Sequence, residues 1–198
     1  MGITGISPFV IFFASILTSN MILTNFLGMC SYISISTEFK TASGLGKAVT
    51  MVMVLTTTLN YLVYHYIIVP LGLEYLQTVL FIMIIAALVQ VIEMAMDRFL
   101  PDLFIKLGIF LPLITVNCAI LGITLFMVIR QYGFVQSVVF SIGSGLGWWL
   151  AISALAAIRE KMAKNKLPKG LEGAGITFII TGIMALSFIG FSGIFIIQ

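Results

Sequence analysis

The chain has 198 residues, of which 61% are hydrophobic and only 9% are charged, and its net charge is +3. So few polar side chains cannot cover the surface of a water-soluble domain, which excludes soluble enzymes and nucleotide-binding folds. The composition predicts a polytopic membrane protein that forms one domain over residues 1–198, without a separate soluble module.

Six apolar stretches are long enough to cross a hydrocarbon core of about 30 Å, which requires about 20 residues of α-helix. We therefore expect an all-α membrane protein with six transmembrane helices. In chain order, the predicted spans are 7–29, 44–68, 75–96, 103–127, 134–158 and 174–196.

The basic residues predict the orientation of these spans. Loops on one side carry nine of the ten Lys and Arg residues, and the opposite loops carry only Arg130. Because positively charged loops stay in the cytoplasm, both chain termini are predicted to lie outside it. The same asymmetry accounts for the net charge without a nucleic-acid partner. The nine residues are Lys40, Lys47, Arg98, Lys106, Arg159, Lys161, Lys164, Lys166 and Lys169.

Two short segments occur twice in the chain, which suggests an internal repeat. The halves, about 1–100 and 101–198, each contain three predicted spans, and an odd number of spans gives the second half the opposite orientation. We therefore expect two inverted three-helix repeats with a site near the membrane midplane. The paired segments are 42–46 with 143–147 and 19–23 with 116–120.

The first and fourth helices are predicted to be discontinuous, because their apolar runs contain helix breakers. The first contains Gly28, and an unwound segment is expected from Asn20 to Gly28. The fourth contains Gly108, Pro112 and Gly122, and proline removes one backbone donor and kinks a helix.

Cys30 and Cys118 are the only thiols, and both lie inside long apolar stretches. One interpretation is core packing, since cysteine is a small and frequently buried side chain. A disulfide is less attractive inside a membrane, and an iron or zinc site requires four ligands. Two cysteines supply half of such a site, so metal binding requires a second pair across a subunit interface. These residues alone leave packing and metal binding open.

Four segments, spread over essentially the whole chain, resemble a family of membrane subunits that occurs in the sodium-translocating NADH:quinone reductase and in Rnf complexes. Two further segments, 141–149 and 175–179, favour the E branch of the quinone-reductase subunits over the Rnf member. The four segments are Asn25-Phe-Leu-Gly-Met-Cys-Ser31, the run 107–120 that ends in Thr-Val-Asn-Cys-Ala-Ile, Ala156-Ala-Ile-Arg-Glu-Lys-Met162 and Phe191-Ser-Gly193.

The resemblance implies that Cys30 and Cys118 bind the iron of an iron–sulfur centre of the 2Fe–2S type, completed by two cysteines of the homologous D subunit. Electrons would cross the membrane through this centre, coupled to export of Na⁺. The A, B, C and F subunits of the six-subunit complex would bind NADH, flavins and quinone. The chain would then be one component of a translocase in the bacterial inner membrane, with periplasmic termini.

Other polar residues have two interpretations each. Asn117 or Asn20 would offset the negative charge of the centre, or Asn117 would cap a break in its helix. Glu93 and Asp97 share one face with Gln90 and would either guide sodium or anchor the end of their helix at the interface.

His65 lies among tyrosines and is interpreted as part of an interfacial aromatic belt. The sequence contains no Ser-His-Asp set, paired catalytic carboxylates or histidine metal motif, so no catalytic residues are expected.

Three alternative functions stay open. The chain could serve as the A-type subunit of an Rnf ferredoxin:NAD⁺ complex, or as a secondary transporter without a redox role, which broken helices and an inverted repeat would suit. It could also be a scaffold that only anchors redox partners. The transporter and the scaffold both predict that replacing the two cysteines leaves function intact.

Overall fold

The computed structural model describes residues 7–99, 114–163 and 173–190, and the chain is helical without strands in these ranges. The side chains of Met96, Asp97 and Phe99 are not part of the description. The helices are α1 Pro8–Ile16, α2 Met29–Ile35, α3 Phe39–Leu71, α4 Gln77–Phe99, α5 Cys118–Ile129, α6 Phe134–Met162 and α7 Ala174–Ile189. A π-helical turn, Tyr64–Ile68, interrupts the regular geometry of α3.

Three helices are long and apolar enough to cross a membrane: α3, the stretch Glu74–Ala95 and α6. They coincide with the predicted spans 44–68, 75–96 and 134–158, so an all-α membrane fold is confirmed in the described residues. At a rise of 1.5 Å per residue, the 33 residues of α3 extend about 50 Å, which exceeds a hydrocarbon core of about 30 Å.

The remaining predicted spans differ from the structure in length. Helices α5 and α7 are shorter apolar helices; α5 overlaps the predicted span 103–127 and ends two residues beyond it, and α7 lies within the predicted span 174–196. Parts of both spans lie outside the described residues. The prediction of one span over 7–29 is wrong in its bounds, because α1 ends at Ile16 and the next helix begins at Met29. The Asn20 amide donates a hydrogen bond to the Ile16 carbonyl at the end of α1, and the left-handed Phe26 and Gly28 keep the chain irregular up to Met29.

Helices α3 and α6 form the centre of the fold and run antiparallel. A Cβ atom on Gly145 would lie 2.7 Å from Thr50, so the glycine allows the two backbones to approach closely. Near one end of the pair, Gly46 accommodates Trp149, and near the other the rings of Tyr61 and Phe134 lie 5.4 Å apart.

A second glycine face of α6 contacts the first segment of the chain. Gly143 faces Ser15 and Phe12, and a Cβ atom on Gly147 would lie 3.0 Å from the carbonyl oxygen of Ile16. The glycines of the repeated 143–147 segment therefore serve close helix packing on two neighbours.

Basic side chains mark the two ends of this helix pair. Arg159, near the end of α6, contacts the chain just before α3 begins. At the opposite end, Arg130 lies over the rings of Phe126 and Phe140, and its Nη1 donates to the hydroxyl of Tyr132. The two arginines that sequence analysis assigned to opposite sides of the membrane thus lie at opposite ends of the fold.

Candidate functional site

The first interruption occupies residues 17–28, between α1 and α2, and continues as a series of turns. The backbone N–H of Leu27 donates to the carbonyl of Met21 at 2.9 Å, a six-residue separation that no regular helix contains. Phe26 and Gly28 both adopt left-handed backbone geometry, with φ of 55° and 84°. Met21, Ile22 and Leu23 of this segment are fully buried, whereas Phe26 is exposed. The predicted interruption from Asn20 to Gly28 is therefore present.

Asn20 holds this interruption together and is itself fully buried. Its Oδ1 accepts hydrogen bonds from the backbone N–H groups of Ile22 and Leu23, at 3.0 and 3.3 Å. Its Nδ2 donates to the carbonyl oxygens of Ile16 and Gly147, at 3.1 and 3.0 Å. The amide thus satisfies backbone groups of the broken helix and ties it to α6, and none of these four hydrogen bonds goes to a cysteine.

The second interruption directly precedes α5. Residues 114–115 are helical, Val116 and Asn117 are not, and α5 begins at Cys118. Asn117 is the N-cap residue, because its Oδ1 accepts from the backbone N–H of Ala119 at 3.0 Å. The capping role of Asn117, one of its two interpretations, is confirmed.

Gly108, Pro112 and Gly122 were expected to break the fourth predicted helix. Gly108 and Pro112 lie outside the described residues. Gly122 lies inside α5 without interrupting it, so its interpretation as a breaker is wrong. Its missing side chain instead makes room for Leu27, because a Cβ atom there would lie 2.6 Å from the Leu27 Cδ1 atom.

The two interruptions meet at the cysteines. Gly28, the N-cap of α2, donates its backbone N–H to the Cys118 Sγ at 2.9 Å. Asn117 Nδ2 donates to the Ser31 hydroxyl at 3.3 Å, and that hydroxyl donates to the Gly28 carbonyl at 3.1 Å. Cys30 and Cys118 therefore lie in the first turns of two helices whose starts are linked by hydrogen bonds.

Gly28 is packed on three sides in this arrangement. Its φ of 84° is left-handed, and a Cβ atom would lie 2.9 Å from Trp148 Nε1, 3.0 Å from Asn117 Oδ1 and 3.1 Å from Ala119 Cβ. A larger residue would be strained by its backbone and would collide with three neighbours. Glycine is thus required for the loop to reach Cys118.

Both cysteines are free thiols and both are exposed on the surface of the chain. Core packing inside the chain therefore does not describe them. Among the described residues, no three His, Cys, Asp or Glu side chains come together as a metal site, so two thiols are what this part of the chain offers.

A largely apolar cavity of about 310 Å³ lies beside Cys118, between α4 and the start of α5. It is lined by Ile82, Ile85, Ala86, Thr115, Val116, Asn117, Cys118 and Leu121.

Arg159 anchors the opposite end of the short helix that carries Cys30. Its Nη1 donates to the Ile33 carbonyl at 2.9 Å and to the Ser36 hydroxyl at 2.7 Å. Carbonyls at the end of a helix lack partners within the helix, so this guanidinium both satisfies them and fixes α2 on α6.

Replacement of Arg159 by glutamine is expected to loosen α2 and to destabilise the protein by about 1.5–3 kcal/mol, the contribution of hydrogen bonds from a charged donor. The melting temperature of the protein purified in detergent measures this effect. Lys161→Gln removes the same charge from an exposed position on the same helix and serves as control. Equal melting temperatures for the two variants would refute the anchoring role.

The other polar residues singled out from the sequence lie apart from the cysteines in the chain. Gln90 is exposed and Glu93 is half-buried near the end of α4, and the side chain of Asp97 is outside the description. Their roles in sodium guidance or anchoring stay predictions. The His65 ring is exposed, stacks on Tyr61 at 6.1 Å and lies perpendicular to the Tyr66 ring, which suits an aromatic belt.

Three residues of the site had no individual signal in the sequence. Ser31, Trp148 and Arg159 fall in segments that carry the family resemblance, but no structural role was predicted for any of them beyond the Arg159 charge that sets membrane orientation. Trp148 directly follows the glycine segment 143–147, and this neighbourhood is the signal that could have indicated a packed contact.

Comparison with known proteins identifies relatives of the whole chain. The family model described as Rnf-Nqr subunit, membrane protein, matches residues 8–195. The E subunit of the Na(+)-translocating NADH-quinone reductase from Aeromonas hydrophila is 53% identical over 186 residues, covering 91% of this chain and 94% of the relative. Proteins of the same name from Maridesulfovibrio salexigens and Proteus mirabilis are each 50% identical, covering 93% of this chain and 96% of the relative.

Proposed function

Because this chain belongs to the Rnf-Nqr family of membrane subunits, we propose that it is the E subunit of a sodium-translocating NADH:quinone reductase. In this role it conducts electrons across the membrane through an iron–sulfur centre shared with the homologous D subunit. Identities of 50–53% with relatives of that name, over more than nine-tenths of the chain, support this choice of complex.

The observation that carries the proposal is the placement of the two cysteines. Cys30 and Cys118 are exposed in the first turns of adjacent helices, and Cys118 Sγ already accepts a backbone N–H from Gly28. Thiolate ligands of iron–sulfur centres accept such hydrogen bonds, and four thiolates complete one centre. Two thiols open to a partner subunit therefore fit half of a shared 2Fe–2S site.

The position of the cysteine site along the membrane-spanning helix α6 also suits electron transfer across a membrane. Trp148 is the central residue of the 29-residue helix α6, and its Nε1 lies next to Gly28. The cysteine-bearing turns are therefore level with the middle of a membrane-spanning helix. An iron–sulfur centre supplies one-electron transfer, and at this level it would divide a core of about 30 Å into two shorter steps.

We also propose that the fold has six spans in two inverted repeats. Support comes from the two interruptions, because each contains a buried Asn whose Oδ1 accepts from the backbone N–H two residues ahead. Each interruption is also followed by a helix with a cysteine in its first turn.

The opposite locations of Arg159 and Arg130 support an inner-membrane topology with periplasmic termini. In the complex, the A, B, C and F subunits bind NADH, flavins and quinone, and the electron flow drives Na⁺ export.

The test of this function is the purified complex, examined under anaerobic conditions. Iron is counted, and electron paramagnetic resonance spectra are recorded after reduction by NADH. We expect an iron–sulfur signal that stays with the membrane subunits after the peripheral NADH-oxidising subunit has been washed off. Membrane subunits without iron would refute the shared centre and favour the transporter or the scaffold. Ferredoxin-dependent reduction of NAD⁺, in place of NADH-dependent reduction of quinone, would assign the chain to an Rnf complex.

A further inference from the structure

Trp148 is completely buried, yet its indole N–H has no hydrogen-bond partner among the residues that the structure describes. A buried donor without an acceptor costs about 1–3 kcal/mol, so native proteins keep few of them. Trp149, the next residue, shows the usual solution, because its Nε1 donates to the Ser43 hydroxyl at 3.2 Å. The N–H of Trp148 therefore calls for an explanation in its surroundings.

The indole N–H of Trp148 faces the inner side of the cysteine site. Nε1 is its nearest atom to the missing side chain of Gly28, at 2.9 Å from the Cβ position, and Asn117 Oδ1 lies 3.0 Å from the same point. Gly28 in turn donates its backbone N–H to Cys118 Sγ. Gly28 alone therefore lies between the unpaired N–H of Trp148 and the sulfur of Cys118, a proposed iron ligand.

We propose that Trp148 is a positioning residue that raises the reduction potential of the iron–sulfur centre, an inference that rests on the proposed function. Reduction adds one negative charge to a site of low dielectric, where a fixed N–H dipole acts strongly. The positive end of the indole dipole faces the Gly28 loop, and no acceptor in the described residues cancels it. The dipole thus stabilises the reduced form, in the way that hydrogen bonds and local dipoles tune such centres.

The test is a redox titration of the assembled complex, followed by electron paramagnetic resonance of the membrane iron–sulfur signal. Two substitutions remove the N–H: Trp148→Phe, and Trp148→benzothienylalanine, in which sulfur replaces the N–H while the ring shape is kept. We expect both to retain the signal and to shift its midpoint to a more negative potential. Trp149→Phe removes the neighbouring indole, whose Nε1 donates to the Ser43 hydroxyl on α3, and should leave the midpoint unchanged.

The possible outcomes separate this inference from the proposed function. An unmodified complex without a membrane iron–sulfur signal would refute the function itself. A signal with an unchanged midpoint in both Trp148 variants would leave the function standing and overturn the role of the indole N–H. Failure of both variants to assemble would assign Trp148 to folding and equally overturn that role, whereas failure of Trp148→Phe alone leaves the shape-preserving variant to decide.

Discussion

Serine in place of either Cys30 or Cys118 is expected to abolish the membrane iron–sulfur signal and to reduce electron transfer to the downstream flavin to background. Serine matches cysteine in shape, but its hydroxyl does not form the thiolate that binds iron in these centres. In the proposed centre each subunit would supply two of the four ligands, so no spare thiol in the described residues can substitute. Electron paramagnetic resonance and rapid-mixing kinetics of flavin reduction measure the two losses.

Ser34→Ala is the matched control, because Ser34 is exposed on the same short helix as Cys30 and changes by a single oxygen atom. This variant should retain the signal and the transfer rate. The amount of assembled complex is measured for all three variants, since a ligand defect leaves subunit association largely intact in a fold anchored by α3 and α6. Cysteine variants with normal iron content and normal turnover of the complex would show that both cysteines only pack against a partner. That result would favour the scaffold or the transporter.

The long helices were predictable because their composition alone determines their environment. In the spans of α3, α4 and α6, apolar runs of more than 20 residues can satisfy their backbone hydrogen bonds in lipid only as helices. The first span was predicted with wrong bounds, because hydropathy does not detect a turn that is made of apolar residues. Met21 and Phe26 are as hydrophobic as the helix around them, and only Asn20 and Gly28 indicated an interruption.

The two cysteines of the proposed site were predictable from the sequence, but the contacts that support them were not. Cys30 and Cys118 stood out as the only thiols, and a family resemblance gave them a role. The contact of Gly28 with Trp148, 120 positions later in the sequence, depends on how α6 packs against the first interruption. A single sequence carries no information on such a long-range contact, and local patterns could not reveal it.

Gly122 is a second residue whose role depends on a long-range contact that the sequence does not reveal. As a glycine in an apolar helix, it was interpreted as a helix breaker, yet α5 continues through it. Its role is to admit Leu27 from the first interruption. Glycine thus indicates either a bend or a close contact, and only the neighbour across the interface distinguishes these two cases.

Gly28→Ala is expected to be strongly destabilising, because backbone strain and steric collision act at the same residue. The left-handed φ of 84° costs a non-glycine residue about 1–3 kcal/mol, and overpacking against Trp148, Asn117 and Ala119 adds about 1–3 kcal/mol. Relief of these contacts would pull the loop away from Cys118 and break the hydrogen bond to its Sγ. We therefore expect a large fall in melting temperature together with loss or alteration of the iron–sulfur signal, measured on the purified complex.

Two control glycines separate the causes of this effect. Gly72 has a φ of 66° with open space where its Cβ would be, so Gly72→Ala carries the backbone strain without the collision. Gly44 lies in α3 with open space and no positive φ, so Gly44→Ala carries neither. If Gly28→Ala destabilised the complex no more than Gly72→Ala, backbone strain would account for the whole effect. A stability loss that exceeds Gly72→Ala by about 1–3 kcal/mol, accompanied by a changed iron–sulfur signal in Gly28→Ala alone, would show that the packing of Trp148 and Asn117 on Gly28 holds the cysteine site together.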